Sequence, residues 1–123
     1  MKSFTLFFLV VVFAAHAFLQ VSPCYYGTAS WYSETDPGIC RLTASGEVFD
    51  DRQATCASWK FPFGTYVKVT NVQDGRSVVC RVNDRGPEAS LDRVIDLSKS
   101  SFEKIADPDI GLIKVMITPL KMG

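Results

Sequence analysis

The stretch Tyr66-Val67-Lys68-Val69-Thr70-Asn71-Val72-Gln73-Asp74-Gly75-Arg76-Ser77-Val78-Val79-Cys80-Arg81-Val82-Asn83-Asp84-Arg85-Gly86-Pro87 decides the fold. Val67 and Val69 alternate with Lys68 and Thr70, the two-residue period of a half-buried strand. Asp74-Gly75 tolerates the positive φ of a tight turn, so Arg76 to Asn83 is predicted to run back as the second strand of a hairpin. Two charges and a Gly-Pro break then mark where the chain leaves the sheet, and loops leaving a rigid scaffold are where chemistry tends to be placed. If the alternation holds to the end, Val78, Cys80, Val82 and Asp84 share one face and Asp84 borders the apolar interior. Partial desolvation there would favour the protonated form that a general acid needs, while Arg85 pulls the other way. From spacing alone, Asp84 as a turn cap or an arginine partner fits equally well.

Outward from the hairpin, Tyr25 to Tyr32 and Leu112 to Thr118 read as further strands, the latter rich in β-branched residues and closed by Pro119. Asp50-Asp51-Arg52-Gln53 resembles a capping box opening a helical turn through Cys56 to Ser58. Ser98 or Ser100, with Glu103, predicts a helix to about Ala106, ended by Pro108 and Gly111. Helical periodicity is otherwise scarce, and neither a repeat nor a linker interrupts the chain. The expectation is one β-rich domain with one or two short helices.

The 123 residues carry 13 basic and 13 acidic side chains and a single histidine. Zero formal charge supplies no attraction for nucleic acid or an anionic membrane surface, and neither is expected as a partner. The apolar run from Phe4 to Ala15 would reach about 18 Å as a helix, short of a hydrocarbon core of roughly 30 Å. Ala15-His16-Ala17 then offers small residues for cleavage, so residues 1–17 are predicted to be a secretory signal, with no membrane attachment afterwards and a periplasmic or extracellular destination. His16 leaves with it. That removes Ser-His-Asp and Cys-His chemistry and the commonest zinc ligand, so neither a metal nor a cofactor is expected. Cys24, Cys40, Cys56 and Cys80 remain, an even count without Cys-x-x-Cys, read as two disulfides with three connectivities open.

Gly27-Thr28-Ala29-Ser30-Trp31-Tyr32, Thr43-Ala44-Ser45-Gly46-Glu47-Val48-Phe49, Phe61-Pro62-Phe63-Gly64-Thr65, Val69-Thr70-Asn71, Val82-Asn83-Asp84-Arg85-Gly86-Pro87 and Ile95-Asp96-Leu97-Ser98 occur in that order. Together they resemble the rare lipoprotein A (RlpA) family, whose bacterial members are lytic transglycosylases acting on peptidoglycan. The resemblance implies an all-β architecture, a six-stranded double-psi β-barrel over residues 25–118. It also implies catalysis by Asp84, which stands at the family's aspartate, with Arg85 beside it. The family's histidine falls on Ser58 in Thr55-Cys56-Ala57-Ser58 and is absent here, and no counterpart of the family's glycan-binding repeat follows the barrel.

A lytic transglycosylase uses no water: an acid protonates the glycosidic oxygen and the C6 hydroxyl of the same sugar closes an anhydro ring. One carboxyl can serve both steps, so Asp84 alone would suffice, with Ser58 able only to donate a hydrogen bond. Trp31, Tyr32 and Trp59 are candidates for a sugar-stacking platform, Trp31 being equally suited to the core. Asp96, in an apolar run, reads as a structural partner for Arg85, Arg93 or a backbone amide, and Asp107 and Asp109 lack calcium-loop spacing. The expectation is a secreted monomer acting on peptidoglycan or related glycan strands. The alternative is a non-catalytic, expansin-like or barwin-like protein that binds or loosens wall polysaccharide.

Overall fold

The computed structural model describes residues 23–120, so the predicted signal segment lies outside the described residues. Six strands, β1 (Tyr25–Tyr32), β2 (Thr55–Ala57), β3 (Tyr66–Asn71), β4 (Ser77–Asp84), β5 (Ile95–Ser98) and β6 (Ile113–Pro119), close a barrel in the order β1-β5-β2-β4-β3-β6. β1 pairs with β5 and β2 with β4 in parallel; the remaining neighbours are antiparallel. This is the expected double-psi β-barrel. Closure leaves no open sheet edge, which is how a small all-β domain avoids unpaired backbone groups.

The predicted hairpin is β3–β4, with Val67 opposite Cys80 and Val69 opposite Val78. Gly75 turns it at φ 81°, where its amide donates to the Asn71 carbonyl at 2.8 Å. Val67, Val69, Val78, Cys80 and Val82 point inward and meet Ala29, Cys56, Ile95, Leu97, Val115 and Ile117. The short helix α1 (Lys99–Glu103) and the turn after it plug the barrel with Phe102 and Ile105, both fully buried. Each such side chain contributes about 1.5–3 kcal/mol by leaving water.

Three expectations change. Asp50 to Ser58 is not helical: Asp50 accepts from the Arg52 amide in a tight turn, and the chain then enters β2. β2 is three residues long and sits between β4 and β5, so ladder bonds on both sides outweigh the local capping signal. Second, the alternation of β4 breaks at its end. Cys56 stands opposite Val82 but Ala57 stands opposite Asp84, so Asn83 is an extra residue, a β-bulge, and Asp84 is thrown to the opposite face from Val78, Cys80 and Val82. Third, among the described residues no cysteine pair is bonded. Cys56 and Cys80 lie together in the core, whereas Cys24 and Cys40 are exposed. Cys24 adjoins Thr118 beside the start of β1, and Cys40 lies in a groove with Tyr32 at its end. Eight residues of strand span roughly 25 Å, so Cys24 and Cys40 stand too far apart to bond to each other.

Candidate active site

The bulge creates the site. Cα partners run across four strands as Ser30 (β1), Asp96 (β5), Ala57 (β2) and Asp84 (β4), one row on the outward face of the barrel. Neighbours in such a row point to the same side. Asp96 and Asp84 therefore flank Ala57, two strand spacings or about 10 Å apart at Cα. The small methyl between them floors an open groove of about 370 Å³, whose walls include Tyr32, Arg85 and the segment from Asp36 to Leu42.

The two carboxyls are held differently. Asp84 Oδ1 accepts from the backbone amides of Ala44 and Arg85, each at 2.9 Å. Ala44 belongs to a flap in which Leu42 bridges to Val48 and Glu47 receives the Arg81 guanidinium at 2.5 and 2.8 Å. Asp96 Oδ1 accepts a hydrogen bond from the Ser30 hydroxyl. Its Oδ2 faces the backbone of Gly86, where a Cβ would stand 3.4 Å away. Burial raises the Asp96 carboxyl above its ordinary value and the Asp84 charge adds to the rise, against the opposing pulls of Ser30 and Arg93. Of the two carboxyls, Asp96 is the one whose protonated form burial favours.

Arg85 does not pair with Asp84. Its Nη1 donates to the Ser58 and Phe61 carbonyls, both at 2.8 Å, and its guanidinium stacks on Phe63 at 3.9 Å. It pins the 58–63 segment to the loop after β4. Ser58 is fully buried, and its hydroxyl accepts from the Lys60 amide, so it lies away from the groove lining. The three aromatics do not form one platform. Tyr32 lines the groove, its ring stacked on Phe49 at 4.4 Å and its buried hydroxyl without a hydrogen-bond partner among the described residues. Burial pushes that phenol up, with Asp84 and then Asp96 among the further causes. Trp31 instead packs on the core and donates to the Pro108 carbonyl at 2.9 Å. Trp59 is 68% exposed and is not part of the groove lining; it is fixed by donating to the Pro87 carbonyl at 2.8 Å.

Sequence reasoning did not place Asp96, Ser30 and Ala57 in one row with Asp84. The available signal was Ile95-Asp96-Leu97: a carboxyl between two core positions of one strand must face outward with whatever lies across from it. A separate acidic cluster, Glu34, Asp50 and Asp51, is already engaged, Asp50 by Arg52, Glu34 by Arg41 and the Asp51 amide, and Asp51 by the Glu34 amide.

The family model described as lytic transglycolase matches residues 25–117. The endolytic peptidoglycan transglycosylase RlpA of Pseudomonas aeruginosa strain UCBPP-PA14 is 45% identical over 91 residues, which are 74% of this chain but 26% of that protein. The chain thus spans about a quarter of that relative's length. Among solved structures, the Streptomyces papain inhibitor superposes with a TM-score of 0.64 at 24% identity, covering 80% of this chain and 96% of the other. The Clavibacter michiganensis expansin gives 0.65 at 19% identity, covering 82% and 52%. These two likenesses concern the fold alone.

Proposed function

The chain belongs to the lytic transglycolase family of RlpA-like double-psi β-barrels, and from that premise we propose that it cleaves peptidoglycan glycan strands without water, using Asp84 and Asp96 as base and acid. The observation that carries this reading is the pair of carboxyls on one row across Ala57, open to a groove. Asp96, in which burial favours the proton, gives it to the glycosidic oxygen as the bond to C1 breaks. The C6 hydroxyl of the same sugar closes on C1, and the Asp84 carboxylate takes the released proton. Solvent returns the proton to Asp96. The product is an anhydro sugar. Acid or base assistance of this kind is worth on the order of 10²- to 10⁴-fold, and with Ser58 sealed away the two carboxyls supply it between them.

Export fits this reading, since the leader predicted at residues 1–17 would deliver the barrel to the wall. Incubation with stem-peptide-free glycan strands should release anhydro-terminated fragments detectable by mass spectrometry. Asp84→Asn and Asp96→Asn should each reduce release at least about 100-fold. Undiminished release by Asp84→Asn overturns the assignment. The lack of an imidazole among the described residues favours a second reading, a binder of wall polysaccharide, whose signature would be retention on insoluble glycan with no fragments released.

A further inference from the structure

Directly behind the carboxyl row, the inner face of the same strands carries two nucleophilic groups that the reaction does not use. Cys56 on β2 is 0% exposed and Cys80 on β4 is 1% exposed, and their Sγ atoms lie 2.7 Å apart. Even carbon atoms pack no closer than about 3.5 Å when unbonded. The strands set up this contact: β2 and β4 run parallel with Cys56 opposite Val82, and Cys80, two residues earlier, shares the inner face of Val82 as the diagonal neighbour of Cys56. Cys24 and Cys40 are exposed and lie at opposite ends of β1, away from this core pair.

We propose that Cys56 and Cys80 close a single disulfide that ties β2 to β4 behind the carboxyl row, leaving Cys24 and Cys40 as thiols. The bond forms by exchange with a disulfide donor, either a small molecule such as oxidised glutathione or a protein oxidant. One thiolate attacks the donor, giving a mixed disulfide and one donor thiolate. The second cysteine, after losing its proton, displaces the other donor thiolate. Two electrons pass from the protein to the donor, and two protons leave the cysteines. Burial raises the Cys56 thiol well above its ordinary value, so exchange is slow once the barrel has closed and proceeds while β2 is still accessible. The tether acts on the right strand. Three-residue β2 has a short ladder of its own, and Ala57, the residue after Cys56, sets the spacing of Asp84 and Asp96.

The test uses the full chain refolded with oxidised glutathione, alkylated in guanidinium and digested with trypsin. Mass spectrometry should find the peptide 53–60 joined to the peptide 77–81, with Cys24 and Cys40 alkylated. Recovery of Cys56 and Cys80 both alkylated, or joined to Cys24 or Cys40, overturns the proposal. A second measurement needs no digestion: reduction in mild denaturant should lower the melting midpoint of the wild type and leave that of Cys56→Ala/Cys80→Ala unmoved. An equal shift in both would also overturn it. Neither readout involves glycan cleavage, so either result stands apart from the function proposed above.

Discussion

Asp96 is a carboxyl kept where its charge is disfavoured. Its value in the folded barrel is raised above that of the unfolded chain. Its contribution to stability is therefore complete below the unfolded value, near 3.9, and is lost as pH rises through the higher folded value. Asp96→Asn removes that loss. The melting midpoint of the variant should gain on the wild type between pH 4 and pH 7, and a constant difference across that range would contradict the assignment. Activity should move oppositely, since the same substitution removes the proton donor. Tyr32 makes a similar case on the neighbouring strand: its buried hydroxyl lacks a partner among the described residues, and Tyr32→Phe should stabilise by about 1 kcal/mol in urea unfolding. A loss of that size would mean the hydroxyl is bonded after all.

At the scale of elements, β1 approaches the segment leading into β5 so closely that a Cβ on Gly27 would lie inside the Val94 side chain. Gly27→Ala should cost about 1–3 kcal/mol, measured by chemical denaturation, because the crowding is against a branched side chain at a strand entry. Which elements the sequence reveals follows from where their stability comes from. The β3–β4 hairpin is legible because Val67, Val69 and the Asp74-Gly75 turn carry their own local pattern. β2 is not. Thr55-Cys56-Ala57 is too short to show a period, and it becomes a strand only because β4 and β5 arrive on either side of it. The candidate site divides in the same way. Asp84 stands in a motif that can be quoted, whereas its partnership with Asp96 depends on a register that no linear pattern displays.

For the whole molecule, the barrel is small and its core correspondingly limited, so a cross-link matters. Closing the segment between Cys56 and Cys80 would restrict the unfolded chain by about 3 kcal/mol, and urea unfolding should find the oxidised protein more stable than the reduced one by that margin. Surface ion pairs add little by comparison. Even the two-pronged Arg81–Glu47 contact is half-exposed, and pairs of that kind contribute about 0–1 kcal/mol. Its use is positional, holding the flap whose Ala44 amide grips Asp84.

The extra residue at Asn83 decides which face of the wall the Asp84 carboxylate occupies. Were Asn83 paired in regular alternation instead of bulged, the Asp84 carboxylate would face the apolar interior, and the outer cleft would retain only one of its two proton carriers. The wall itself would still close. The side of the wall on which this carboxylate stands is therefore decided by how the backbone pairs at one residue, without exchanging any of the side chains concerned.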